Sequence, residues 1–239
     1  MIFVKKGDEP EGLKELRDEC KDMGLSPKES YRMLMNPLKK EVLDCLIREQ
    51  GQLCVYCMCR IPRDDKEIGI ADPTIEHFIP LEYREDKGQG LDYKNLFAVC
   101  HGNQKARTKG QRHNSSTEGL TCDKHRGNTG FKKINPCVKE TLQSIYYDAI
   151  TGEIKATDPE VEYDLINTLN LNCLSSPVVS ERKEALNALV NDMAGEKTDD
   201  LLEYCRYRLE VFENEVDIKT PYVGIIIWYL RDMIRALER

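Results

Sequence analysis

The residues best suited to chemistry in this chain are cysteines and histidines, and they are concentrated in one segment. Five of the ten cysteines and all four histidines lie between Cys54 and His125. Six of these nine residues occur in four short motifs, CVYC, IEHFIP, NLFAVC and TCDKHRG. Thiolate sulfur and imidazole nitrogen are the ligands that zinc prefers in proteins. The segment therefore predicts a site built around bound metal.

The C-x2-C spacing of CVYC lets two thiolates reach one zinc ion from a tight turn, and a closed tetrahedral site needs two more ligands. The candidate ligands are the cysteines of three motifs: Cys54, Cys57, Cys100 and Cys122. Because the last two are 22 positions apart, the fourth ligand is the least constrained, and His101 or His125 could replace it. Cys59 is a less suitable third ligand because it would crowd the same turn. A redox pair is the alternative for a lone C-x2-C. The additional cysteines favour structural zinc.

The IEHFIP motif predicts a second site, at which a reaction takes place. Glu76 and His77 are adjacent in a strand-like segment that ends by Pro80, so one can bind a metal ion while the other faces a substrate. Hydrolysis of a phosphodiester requires a water deprotonated near neutral pH, and the unperturbed histidine pKa of about 6.5 suits that task. It also requires a divalent cation to stabilise the leaving oxygen. An incidental surface pair is the alternative interpretation.

Composition restricts the class of protein. The chain of 239 residues is long enough for one large or two small domains. Its cysteines are clustered, unlike a disulfide framework, and its first residues do not form a leader pattern. The longest apolar run, Val223 to Leu230, is far shorter than the roughly 20 residues that span a bilayer. We therefore expect a cytoplasmic protein with reduced thiols and no membrane contact.

Charge is unevenly distributed along the chain. The net charge is -7, but residues 100 to 133 contain eight Lys or Arg and only Glu118 and Asp123, a local balance of +6. A basic segment next to the Cys and His motifs can neutralise phosphates. Nucleic acid is therefore the expected partner. A solvated basic loop is the alternative.

Periodicity divides the chain into three regions. Residues 1–50 predict helices, one with Leu13, Leu16, Cys20 and Met23 on one face and one that begins near Pro37 and ends near Gly51. Residues 51–135 contain the metal motifs and a loop-like GQRHNSSTEG stretch. Residues 136–239 predict a β-hairpin in SIYYDAITGEIKAT, followed by helices in RKEALNALVNDM, LLEYCRYRLEVFE and IIIWYLRDMIRALE.

The order of the motifs resembles that of HNH endonucleases, which are ββα-metal nucleases. The resemblance implies that His77 is the general base, Glu76 an acidic ligand of the catalytic ion, and Asn95 the middle Asn that holds the loop between the two strands. The last His or Asn of that family aligns with Asp123, which can still bind magnesium or manganese through oxygen. His125 competes for this role. The 21 residues between Cys100 and Cys122 are an insertion, basic and expected to face the substrate.

A narrower resemblance covers most of the chain. The segments EQGQLCVYC, IEHFIPLE, NLFAVCHGN, TCDKHRGN and NTLNLN are similar to those of PtuB-type HNH proteins of Septu antiphage systems and retron-associated effectors. This similarity implies a PtuA-type ATPase of the ABC or SMC-like class as partner. A retron reverse transcriptase with its msDNA is a further implied partner. The same similarity implies a nuclease that is held inactive until phage infection.

The expected fold class is α+β, with a zinc-stabilised HNH core embedded between N-terminal helices and a mostly helical C-terminal region. The expected function is DNA cleavage that uses Mg2+ or Mn2+ at the catalytic site and Zn2+ only for the fold. Two alternatives stay open. One is a nuclease that cuts RNA such as tRNA, because a metal ion and a base do not distinguish the two sugars. The other is a zinc-stabilised binding module without catalysis.

Overall fold

The chain is a mostly helical α+β protein with small antiparallel β-sheets. The computed structural model describes residues 1–61, 73–103, 119–195 and 200–239. The helices in these ranges are α1 (Glu11–Asp22), α2 (Pro27–Met33), α3 (Leu38–Glu49), α4 (Cys122–Arg126), α5 (Lys139–Leu142), α6 (Pro159–Tyr163), α7 (Val178–Gly195), α8 (Leu201–Glu213) and α9 (Val223–Leu237). The strands are β1 (Thr74–His77), β2 (Leu96–Val99), β3 (Ile145–Tyr147) and β4 (Ile154–Ala156). None of these helices is both long and apolar enough to cross a membrane.

The N-terminal helices follow the predicted periodicity, with one correction and one addition. Leu13 and Cys20 on α1 are fully buried, but Met23 is 56 % exposed because the helix already ends at Asp22. The additional helix is α2, which was not predicted from the sequence. Its N-terminus has a capping box in which the Ser26 side chain accepts from the backbone of Glu29 and the Glu29 side chain accepts from the backbone of Ser26.

Two antiparallel strand pairs form the β-structure. Strands β1 and β2 pair so that Glu76 lies opposite Phe97 and His77 opposite Leu96. Strands β3 and β4 pair across the Thr-Gly turn, which confirms the predicted hairpin. The first pair carries the IEHFIP motif, and β1 ends at His77, directly after Glu76. Its position therefore determines the geometry of the candidate site.

One continuous hydrophobic core includes residues from all three sequence regions, among them Leu13, Leu46, Phe97, Ile154 and Leu230. The buried Gln50 at the end of α3 connects two of these regions. Its side-chain amide donates to the carbonyls of Leu53 and Ala98, both at 2.8 Å, and its oxygen accepts from the Ala98 amide. These bonds fix the start of the CVYC turn against β2.

The C-terminal helices agree with the predicted patterns. Helix α8 spans the whole LLEYCRYRLEVFE segment and buries Cys205 and Phe212. Helix α9 contains the longest apolar run and buries Ile225, Ile226 and Leu230. The basic insertion and the GQRHNSSTEG stretch fall mostly on residues 104–118, outside the described residues, so their expected contact with substrate stays a prediction.

Candidate functional site

Four cysteine sulfurs lie together in the interior. This cysteine cluster consists of Cys54, Cys57, Cys100 and Cys122, whose Sγ atoms all lie within 4.8 Å of one another. The Sγ atoms of Cys57 and Cys100 are 3.8 Å apart, as are those of Cys100 and Cys122, while Cys54 and Cys122 are separated by 4.0 Å. A tetrahedron of sulfurs around zinc, with bonds of about 2.3 Å, has edges of about 3.8 Å. The cluster could therefore hold a structural zinc ion.

The backbone presents these sulfurs from three separate elements. The CVYC turn closes through bonds from the Cys54 amide to the Cys59 carbonyl at 2.9 Å and from the Met58 amide to the Cys54 carbonyl at 3.0 Å. Cys100 follows β2 directly, and its sulfur accepts from the Gly102 amide at 3.3 Å. Cys122 begins α4 with a φ of 55°, in the left-handed region that non-glycine residues seldom occupy. Such a conformation persists only where surrounding contacts impose it.

Four thiols this close together cannot all ionise without a cation. Contact with Cys100 and Cys122 lowers the pKa of Cys57 to about 6. Contact with Cys100 and Cys54 raises the pKa of Cys122 well above its usual range. A divalent cation would bind all four as thiolates and remove this conflict. The chemistry of the donor set therefore fits zinc.

The alternative ligands do not enter this group. His101 and His125 are not among the four clustered donors, and neither is Cys59, although it is buried beside them. The ring of His125 instead has its Nδ1 at 3.1 Å from the Thr168 carbonyl. That carbonyl belongs to a π-helical turn, Asp164–Thr168, that continues α6.

A second polar group, the acidic site, is formed by Glu76, His77 and Asp123. Glu76 is 7 % exposed, and its carboxylate accepts from the guanidinium of Arg126, which is also buried. The Tyr56 hydroxyl lies 3.4 Å from the same carboxylate oxygen. Arg126 further donates to the carbonyls of Phe78 and Thr129, both at 2.7 Å. Glu76 is therefore held by protein groups on one side.

The other side of Glu76 meets the carboxyl of Asp123, the second residue of α4. The two carboxyls lie within hydrogen-bonding reach, and burial together with this contact raises the pKa of Glu76 to about 9. Two carboxylates in contact repel each other, so such a pair retains a proton or binds a cation between its oxygens. Asp123 also accepts from Lys124 at 2.9 Å. The pair could provide oxygen ligands for a divalent cation.

The imidazole of His77 has two contacts that fix its orientation. Its Nε2 is 2.9 Å from the Gly90 carbonyl, and the ring of Tyr31 packs edge-on at a centroid distance of 4.5 Å. Burial lowers the pKa of His77, so the ring is neutral at pH 7. A neutral ring that donates from Nε2 leaves the Nδ1 lone pair available to accept a proton.

Both contacts of His77 depend on α2. Tyr31 lies on that helix, and Gly90 packs so closely against it that an added Cβ would be 1.9 Å from the Pro27 carbonyl oxygen. Only glycine therefore fits at position 90. Neither residue was predicted from the sequence, although the S-x-x-E pattern at Ser26 is typical of a helix N-terminus.

The side chain of Asn95 contacts the backbone after β1. Its Oδ1 accepts from the Ile79 amide at 2.7 Å, and its Nδ2 donates to the Ile79 carbonyl at 2.9 Å. Asn95 thus fixes Ile79, the second residue after His77, through both of its backbone groups. This contact positions the loop and does not reach the ring of His77.

The described residues therefore contain two distinct kinds of site. The cysteine cluster is the only group of three or more metal-ligand side chains found among them. The acidic site combines a carboxyl pair with a neutral imidazole at the end of β1. Arg126 lies within the TCDKHRG motif, but its ion pair with Glu76 was not predicted from the sequence. No model of a known protein family matches the chain, and no curated protein gives a significant match.

Proposed function

We propose that the protein is a metal-dependent HNH endonuclease that hydrolyses phosphodiester bonds of DNA as the effector of an antiphage complex with a PtuA-type ATPase. The observation that carries the nuclease proposal is the acidic site itself. His77, whose neutral ring has an available Nδ1, directly follows Glu76 on β1, and the Glu76 carboxyl forms with Asp123 a pair that needs a proton or a cation. The order β1, β2, α4 around this site supports an HNH arrangement.

His77 acts as the general base in this proposal. Its Nε2 donates to the Gly90 carbonyl, and this bond fixes the tautomer whose Nδ1 accepts a proton from water. As the ring becomes charged, the same carbonyl and the nearby negative charge of Asp123 stabilise it. Tyr31 keeps the ring from turning away from the attacking water.

Glu76 and Asp123 hold the catalytic cation, for which Mg2+ and Mn2+ are the proposed identities because both prefer oxygen ligands. When bound, the ion would stabilise negative charge on the leaving oxygen. Arg126 keeps the Glu76 carboxylate in place through a buried ion pair. His125 is the alternative ligand, because its Nδ1 contact with Thr168 leaves Nε2 available.

One observation favours the non-catalytic alternative. The buried pair of Glu76 and Arg126 already compensates the carboxylate, as a purely structural ion pair would. In that case the acidic site would only stabilise the contact between β1 and α4. The two functions differ in what they predict for His77, since the structural alternative assigns no reaction to its Nδ1.

A cleavage assay tests the proposal. The zinc-loaded chain, alone and with an ATPase encoded beside it, is incubated with plasmid DNA and with total tRNA in Mg2+ or Mn2+. We expect metal-dependent cutting of DNA, and His77→Ala should lower its rate by about 10²-fold to 10⁴-fold because general base catalysis is lost.

The matched control is Tyr207→Ala, which removes a tyrosine ring on α8, because Tyr207 is 62 % exposed. Zinc content and melting temperature are measured for both variants, so that a lost fold is recognised. Cutting of tRNA alone would replace DNA by RNA as substrate. A His77→Ala rate within a few-fold of the unsubstituted chain would remove His77 from the base role, and absence of cutting under every condition would favour the binding module.

A further inference from the structure

A groove of about 940 Å³ is separate from both candidate sites, since none of its lining residues belongs to the cysteine cluster or the acidic site. Its walls come from α8, α9, the first three residues and the segment from α5 to β3. Its apolar lining includes Phe3, Leu142, Ile145, Phe212 and Trp228. The groove is open to solvent along one side.

Helix α9 is apolar on two faces, which is unusual for a helix at the surface. Ile225, Ile226 and Leu230 point into the core and are buried. Ile227 and Trp228 line the groove and are only half-buried. Apolar helix faces are normally covered by other elements. The described residues cover the groove face of α9 only in part.

The rim of the groove has the opposite charge to the chain as a whole. Four of its charged residues are basic, Lys139, Lys219, Arg231 and Arg235, and one is acidic, Glu213. This is a local balance of +3 in a chain of net charge -7. Arg231 pairs with Glu213 at 2.5 Å and Arg235 with Asp232 at 3.4 Å, whereas Lys139 has no carboxylate partner among the described residues. An occupant with negative charge would complement this rim.

The geometry of the groove fits a helix. From Val223 to Arg235 the α9 wall extends over about 18 Å, which equals three to four helical turns at about 1.5 Å per residue. Helices bind such grooves through apolar anchors at i, i+3, i+4 and i+7. An open groove covers one face of a helix, whereas small-ligand sites enclose most of the ligand surface.

We propose that this groove binds an amphipathic α-helix of a partner protein, with an apolar face against Trp228 and Ile227 and acidic residues against the basic rim. The interaction does not involve the acidic site, so it holds whether or not the chain is a nuclease.

The chain has one tryptophan, Trp228, so its fluorescence reports occupancy of the groove directly. The probe is a stapled helical peptide of about 14 residues with leucine and phenylalanine at i, i+3, i+4 and i+7 and glutamate at the flanks. The comparison peptide has lysine in place of every glutamate. We expect a saturable blue shift with the acidic peptide and a Kd at least about tenfold higher for the basic one.

The variant Arg231→Glu/Arg235→Glu should weaken binding of the acidic peptide by about tenfold or more, because two attractions become repulsions. The matched control is Arg32→Glu/Lys40→Glu, which makes the same charge change at exposed residues outside the groove. If the first variant loses zinc or helix content, Lys139→Glu on the exposed side of α5 provides the same test, with about a threefold effect.

Three outcomes would overturn the proposal. The first is equal affinity for the acidic and basic peptides. The second is a Trp228 response to phosphatidylglycerol vesicles without a response to either peptide, which would assign the groove to a lipid surface. The third is a Trp228 shift that follows the protein concentration together with a doubled mass in light scattering, which would make a second copy of the chain the occupant.

Discussion

The cysteine cluster and the acidic site are both polar groups in the interior, but they differ in what holds them together. In the cysteine cluster the sulfurs have mainly each other as neighbours. In the acidic site each side chain has a protein partner: Arg126 for Glu76, the Gly90 carbonyl for His77 and Lys124 for Asp123. We therefore expect the first group to depend on a bound metal for its stability. The second is positioned by contacts with other protein groups.

The largest expected effect is the loss of a ligand from the cysteine cluster. Cys54→Ser should release zinc and yield little soluble protein, because structural zinc contributes about 10–16 kcal/mol to folding of small metal-dependent domains. Zinc per chain is measured by mass spectrometry of the purified protein. The control is Cys173→Ser, which replaces a half-buried cysteine outside the cluster. Normal folding of Cys54→Ser with one zinc per chain would disprove the four-cysteine assignment.

The next effect concerns the partner of Glu76. Arg126→Met leaves a buried carboxyl without its cation and should lower the free energy of unfolding by about 3–5 kcal/mol. Adding Glu76→Gln to Arg126→Met should recover part of this loss, because it removes the buried carboxyl that has lost its guanidinium partner.

Urea denaturation of the zinc-loaded chain measures both variants. The matched control is Arg206→Met, whose pair with Glu238 is solvent-exposed and should contribute less than about 1 kcal/mol. Equal losses for Arg126→Met and Arg206→Met would mean that the acidic site is not held by this ion pair.

A third effect tests whether a cation can replace the proton of the carboxyl pair. Burial and contact with Asp123 raise the pKa of Glu76 to about 9 from its usual 4.5. A raised pKa in the folded state contributes stability below pH 4.5 that is lost as pH rises toward 9. Mn2+ should restore it, so we expect Mn2+ to raise the melting temperature more at pH 8.5 than at pH 6.

The matched variant is Glu76→Gln, which cannot titrate and should show the same small Mn2+ effect at both pH values. Asp22→Asn, at an exposed position at the end of α1, should behave like the unsubstituted chain. A Mn2+ effect that is independent of pH in the unsubstituted chain would place the ion elsewhere.

Local patterns in the sequence predicted much of this structure. The periodicity of α1, α3 and α8 and the Thr-Gly turn between β3 and β4 depend on near neighbours, and these elements form where expected. Cys54 and Cys57 could be paired from their C-x2-C spacing, whereas the 22 positions between Cys100 and Cys122 left the fourth ligand open. The sequence also contained the capping box of α2, a recognisable local signal that was not used.

The partners in the acidic site could not be predicted in this way. Arg126 is 50 positions from Glu76, and Gly90 binds His77 through a backbone carbonyl that any residue possesses. Neither contact has a spacing that sequence alone could indicate. Which basic residue approaches Glu76 depends on how α4 packs against β1, and this packing is set by the whole core.

The smallest expected effect sharpens the claim that the protein positions His77 in advance. Tyr31→Leu removes the aromatic edge at 4.5 Å from the imidazole and should lower kcat for cleavage about threefold to tenfold, since such contacts contribute about 0.5–1.5 kcal/mol. Tyr31→Phe retains the ring, and its kcat should stay within about twofold of that of the unsubstituted chain. Tyr207→Leu on the exposed face of α8 is the control for a lost tyrosine.

Because Tyr31 orients the base without binding substrate in this scheme, KM should not change. A rise in KM with constant kcat would instead make Tyr31 a substrate contact, and equal loss in the Leu and Phe variants would mean that its hydroxyl matters and not its ring.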